Sequence, residues 1–383
     1  MKHWLKHRIV KAALPHRHRI AVVARMNDNR FEMKMGDRAY FLEADHDLPN
    51  PEVYDFAAWM IAALAIRRGV PVRFDLPVSE SAVLAISRTA ALWTFRFPQE
   101  AYPLDLELPN IVPDPPQQSG GGILCLSGGV DSTHAAIEAK ASLGYSHGMM
   151  MHGMDFNLSN TKGFSGRHSR VKEIADHFGL DLIVVQTDLS RSLHSLGQYY
   201  SLLLLVCLKF AGVNLPRGGF SADQTTAEAL VAVGNSNVPG VEGFMSAENF
   251  QVDHFGAPLD RIAKLKAIHC EEPELIQKLG FCIEEQVSGG NCGVCEKCMR
   301  SRWALEQAGL GQRAIFPDVA DWMAYYETNY RATKQKNLLT LHRLENSLAG
   351  MENKEDRVRL NRLIEKYRTQ VGTNAAPIVS SPP

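Results

Sequence analysis

The chain has 383 residues, 45% apolar and 22% charged, an ordinary globular composition, and its length makes two domains the default expectation. A formal net charge of -1 removes any bulk pull toward nucleic acid or an anionic membrane. No run reaches the roughly 18 to 20 apolar residues of a membrane span.

The opening MKHWLKHRIVKAALPHRHR carries six Lys/Arg, four His and no acid, and turns basic again too soon for a secretory signal. It reads as a solvated arm, with a nucleic-acid or subunit contact as the alternatives. Residues 1–112 are expected to form an N-terminal α+β domain. HRIAVVARM, DRAYFLEA and PVRFDLPVS read as strands, while PEVYDFAAWMIAALAIRRG and SESAVLAISRTAALWTF have helical spacing. Prolines and glycines from Leu108 to Gly122 resist both helix and sheet, which places a linker at 113–122.

From residue 123 strand and helix patterns alternate, the mark of a parallel sheet with crossover helices. ILCL, HGMMMHG, LDLIVVQTD and RGGFSAD are the strands. STHAAIEAKASLG, GRHSRVKEIADHFG and GQYYSLLLLVCLKFAG are the helices, the last apolar enough for a buried core position. Right-handed units of this kind put every strand's carboxyl end on one edge, where ligands bind. A helical extension over 311–372 and a disordered tail over 373–383 complete the expected layout.

On that edge lies SGGVDS: Ser127, Gly128, Gly129, Val130, Asp131 and Ser132 join a buried strand to the first turn of a helix. Two glycines clear side chains from the corner, so amide N–H groups and the positive helix end can face an anion. The serines offer hydroxyls, and Asp131 can cap the helix or hold a metal ion through water. The pattern predicts a phosphate cradle. It lacks the longer spacing and the lysine of a Walker loop.

Of seven cysteines, four fall in CIEEQVSGGNCGVCEKC, at Cys282, Cys292, Cys295 and Cys298. The polar, glycine-rich setting argues for metal in a reducing cytoplasm, and four thiolates favour structural zinc over an iron–sulfur cluster. Cys270 and His269 compete with Cys282 for the fourth position. Cys125 and Cys207 read as small core residues.

SGGVDS after ILCL resembles the PP-loop ATP pyrophosphatases, of adenine nucleotide alpha hydrolase-like fold, whose loop holds the pyrophosphate part of ATP during attack on the α-phosphorus. Together with GRHSRVKEIADHFG, DRIAKLKAI and CGVCEKCMR it is similar to the 7-cyano-7-deazaguanine synthase family, over about residues 123–310. The resemblance implies a PP-loop domain with a four-cysteine zinc knuckle that adenylates a small-molecule carboxylate, deazapurine-like, releasing pyrophosphate. It implies ATP and magnesium as cofactors, with Ser127, Asp131, Ser132 and Lys264 at the chemistry. Met151 would lie near the adenine, and Arg167, His168, Arg261 and Lys264 would contact phosphates. Asp131 would anchor magnesium, with Asp223 as second choice.

The family's purine-reading stretch is replaced by GGFSADQTTAEALVAVGNSNVPG, and the N-terminal domain is extra, features that point to a changed acceptor. Two-domain relatives of this kind occur in bacterial gene clusters, including anti-phage islands. An amine, on a partner protein in one version, would then attack the adenylate to give an amide, conjugate or nitrile. A tRNA-thiolating enzyme and a non-enzymatic nucleotide sensor are the alternatives, and a homodimer stays open.

Overall fold

The computed structural model describes residues 19–371, apart from 117–118, 143, 194–197, 222–235, 283–289, 311–314 and most of 319–352. The basic arm, the tail and Asp223 lie outside the described residues. The fold is α/β, built on a mostly parallel sheet that has ten strands among the described residues.

Five strands form its parallel half: β8 (Gly122–Cys125), β9 (Tyr145–His152), β10 (Asp181–Thr187), β11 (Arg217–Ser221) and β12 (Gln251–Phe255), in the order β12-β11-β8-β9-β10. β8 lies at the centre, so the corner that follows it opens in the middle of the sheet's carboxyl edge. Ile123 and Leu124 are fully buried because crossover helices cover both faces.

The N-terminal strands continue this sheet. β1 (Ile20–Asn27), β2 (Arg30–Met35) and β3 (Arg38–Ala44) form an antiparallel meander, and β3 pairs antiparallel with β10, Ala44 opposite Val185 and Leu42 opposite Thr187. Phe31, Met33 and Met35 alternate inward along β2. The segment expected as one strand, PVRFDLPVS, supplies two short ones, β4 (Val72–Arg73) and β5 (Val78–Ser79), since Pro77 interrupts the ladder. β6 (Leu106–Glu107) and β7 (Ile111–Val112) pair with them.

One apolar cluster crosses the proline-rich stretch. The helix Asp55–Arg68 packs on the helix Tyr200–Ala211, with the Phe56 and Phe210 rings 5.3 Å apart edge to face. The boundary drawn at residues 113–122 therefore separates sequence patterns but not hydrophobic cores. Tyr200–Ala211 is the buried helix expected from its leucines, and no helix among the described residues is long and apolar enough to cross a membrane. At the other end, Leu360, Leu363 and Ile364 of the helix Lys354–Val371 pack on Met299 and Trp303 of the helix Glu296–Gln307.

Candidate functional site

The strand ILC ends at Cys125, and the helix Val130–Ser142 begins five residues later. Gly128 makes that turn in the left-handed region at φ 70°, where a Cβ would fall 2.9 Å from Cγ2 of the buried Val171. Ser132 Oγ accepts from the Ser127 amide at 3.2 Å and lies 3.2 Å from Ser127 Oγ, so the two hydroxyls close the loop on itself. Helix starts leave their first N–H groups without an intrahelical partner, which makes this corner suited to an anion.

The corner opens on a cavity of about 320 Å³, within the range of small-molecule sites. Ser127, Gly129, Asp131 and Ser132 line it on one side, and Met149, Met150 and Met151 from the end of β9 supply an apolar floor. Met151, expected near an adenine, lines this cavity.

Arg167 lines the cavity but differs from the phosphate-contact role expected of it. Its buried guanidinium donates to the backbone carbonyls of Ser127 at 3.2 Å, Gly280 at 2.7 Å and Cys282 at 2.5 Å. The Gly280 amide adds a bond to the Gly128 carbonyl at 2.8 Å. A cation bonded to several carbonyls is a bracket, and it fixes the corner against the chain that leads into the cysteines.

Asp131 also differs from expectation. Lys264 Nζ lies 2.9 Å from Oδ1 and Arg261 Nη2 lies 3.1 Å from Oδ2. Lys264 is fully buried and does not line the cavity, whereas Arg261 does. The three formal charges leave a local excess of one positive charge, which suits a phosphate and opposes a divalent cation. Magnesium anchored by Asp131 does not fit this arrangement, and Lys264 becomes a positioning residue. His168 stands apart from the cavity lining, its ring near Phe164 with centroids 6.1 Å apart.

Beside the corner, Sγ atoms of Cys282, Cys292, Cys295 and Cys298 all lie within 4.8 Å of one another. The Cys295–Cys282 and Cys292–Cys298 sulfurs are 3.8 and 3.9 Å apart. Tetrahedral zinc with Zn–S bonds of about 2.3 Å requires sulfurs roughly 3.8 Å apart, so the set fits a zinc ion. Cys282 takes the fourth position; Cys270 is exposed elsewhere.

Side chains hold this knuckle open for four sulfurs. Asn291, buried, accepts from the amides of Phe281 and Cys282 and donates to the carbonyls of Leu279 and Ile315. Arg302 donates to Gly293 O at 2.9 Å and Pro317 O at 3.0 Å.

Sequence reasoning gave no role to Lys297, Arg300 or Ser301. The helix that starts at the cysteines carries all three to the lining of the cavity that the glycine corner also lines. Their signal was present in CEKCMRS, where a period near 3.6 groups Lys297, Arg300 and Ser301 on one face. Compared with protein-family models, with curated proteins and with solved structures, the chain shows no match.

Proposed function

We propose that the protein is an ATP-dependent adenylating enzyme of PP-loop type, acting on a deazapurine-like carboxylate. The observation that carries this reading is the glycine corner, set at the carboxyl end of the central parallel strand and opening on a cavity with four cationic side chains. Its likeness to 7-cyano-7-deazaguanine synthases supports the choice of acceptor.

In this reading the corner amides and the hydroxyls of Ser127 and Ser132 hold the β- and γ-phosphates, and Arg261 faces the α-phosphate. A carboxylate oxygen forms a bond to the α-phosphorus, the bond from that phosphorus to the bridging oxygen breaks, and pyrophosphate leaves. An amine nitrogen then attacks the acyl carbon, the bond to AMP breaks, and one amine proton passes to water. Fixed dipoles and cations aimed at the phosphoryl oxygens are what such a transfer needs. Lys264 and Arg261 hold the Asp131 carboxylate at the lip of the corner. Arg167 holds the loop carbonyls away from the phosphates.

Zinc, when bound to the four cysteines, supplies a cross-link, since four thiolates leave no open position for catalysis. The test is to supply ATP, magnesium and 7-carboxy-7-deazaguanine with either ammonia or candidate partner proteins, and to follow pyrophosphate and AMP. Release of both with an amide on a partner supports conjugation, while nitrile from ammonia alone reassigns the product. Absence of pyrophosphate under every acceptor condition would sink the enzymatic reading and leave nucleotide sensing.

A further inference from the structure

The cysteine knuckle and the glycine corner are one construction. Arg167 bonds to the carbonyl of Ser127 in the corner and to that of Cys282, a cysteine of the knuckle. The Gly280 amide bonds directly to the Gly128 carbonyl. Cys295 occupies the N-cap position of the helix Glu296–Gln307, Cys298 lies in its first turn, and Lys297, Arg300 and Ser301 of the same turns line the cavity.

We propose that the knuckle helix is the second wall of the nucleotide site, with Lys297 and Arg300 taking triphosphate oxygens that the corner does not, Ser301 bracing the helix through its bond to the Lys297 carbonyl, and that metal in the knuckle sets nucleotide affinity. The proposal rests on the ATP reading above and adds the residues and the regulation to it.

Charge supports the phosphate as occupant. The cavity lining holds four cationic side chains, Arg167, Arg261, Lys297 and Arg300, against two carboxylates, Asp131 and Asp155. Arg167 is bonded to carbonyls and Arg261 is shared with Asp131, and Lys297 and Arg300 of the knuckle helix bring two further positive charges to the same cavity. Lys297 reaches to within 3.9 Å of Asp155 on the opposite rim, a partly exposed pair held loosely enough for a phosphate to replace the carboxylate. Arg300 is 6% exposed and Ser301 fully buried, so their wall is set by the helix and not by surface mobility.

Metal enters through the helix start. Cys295 at the N-cap position and Cys298 in the first turn would share the ion with Cys282, so losing it would loosen both the turn that carries Lys297 and the segment Arg167 brackets.

The test uses the full chain with its metal content measured, titrated calorimetrically with α,β-methylene-ATP, whose α–β link does not cleave. Lys297→Ala and Arg300→Lys are expected to weaken binding about tenfold each, the effect of one charge-assisted hydrogen bond, with metal content unchanged. Chelation should weaken binding more than either substitution, and one equivalent of zinc should restore it, while circular dichroism reports whether the sheet survives. Wild-type binding with both variants unchanged overturns the second wall. Variants that weaken only the carboxylate substrate also overturn it, because the wall then belongs to the acceptor. A wild-type chain that does not bind the analogue overturns the ATP reading itself, and this inference with it.

Discussion

The glycine corner and the cysteine knuckle solve opposite problems. In the proposed reading the corner keeps backbone dipoles exposed to a ligand; it carries two glycines and takes its shape from Ser127, Ser132 and the bracketing Arg167. The knuckle joins a polar, glycine-rich stretch to the core that buries Cys282 and Cys298, so it gathers four sulfurs and clamps the chain with Asn291 and Arg302. The first is ordered from outside by helix and strand, while the second presents four sulfurs that could hold a zinc ion. Damage should therefore spread differently from each.

The largest effect is expected at the knuckle. Cys295→Ser should lose the bound zinc and lower solubility before it alters chemistry, because metal binding and local folding are one equilibrium. Elemental analysis and sedimentation of the soluble fraction check it. Retention of one zinc per chain would show that Cys295 is not a ligand; iron with acid-labile sulfide would favour the thiolation reading.

Next comes the element that joins the two regions. Arg167→Ala leaves buried carbonyls of Ser127, Gly280 and Cys282 without their donor, a loss on the order of 3 kcal/mol in unfolding free energy. Both nucleotide affinity and metal affinity should fall together. If metal affinity stays at the wild-type value, corner and knuckle are independent.

The two left-handed glycines give a paired comparison. Gly128→Ala combines positive φ with a 2.9 Å approach to Val171, a side chain locked inside a helix interface, and should cost about 2 kcal/mol or more. Gly293→Ala has the same backbone strain, at φ 76°, but its 2.6 Å neighbour is the end of the Arg302 side chain. That end is a knuckle clamp, so the expected damage is to zinc retention more than to nucleotide binding. Thermal melts and zinc content of the two variants, measured side by side, separate these outcomes.

What the sequence revealed follows the range of the interactions. SGGVDS and C-x2-C-x2-C are local, and their backbone and sulfur chemistry can be read from spacing alone. The strand and helix alternation that places the corner at a sheet edge is local too, with each element announced by its own period. The pairing of β3 with β10 was not legible, since Leu42 and Thr187 meet across a register that only tertiary packing selects. The same holds for Arg167. Its motif position suggested phosphate, but besides Ser127 its partners Gly280 and Cys282 lie more than a hundred residues away, so only the folded chain shows a bracket. Lys264 is similar: a charged helix residue in the sequence, fully buried against Asp131 in the fold.

The smallest expected effect tests whether the corner carries its own sensitivity to acid. His134, one turn into the corner helix, is 3% exposed, and its Nδ1 has no hydrogen bond among the described residues. Burial holds its pKa below the ordinary value; Glu138 (3.8 Å from Nδ1), Asp131 and Glu271 pull upward, and Lys264 pulls downward. With the folded pKa depressed, the folded state binds fewer protons than the unfolded chain once the pH falls below the unfolded value near 6.5. The stability from a neutral His134 is then complete above about pH 6.5 and lost as the pH falls through the lowered folded pKa. His134→Gln, which does not titrate, should flatten that part of the profile, measured as the urea midpoint between about pH 5 and 7.5. Because a charged His134 would sit beside Lys264 and so disturb the Asp131 pairs, nucleotide affinity should follow the same profile while zinc content does not. An unchanged profile in His134→Gln would assign the acid sensitivity elsewhere, and a parallel loss of zinc would place it in the knuckle.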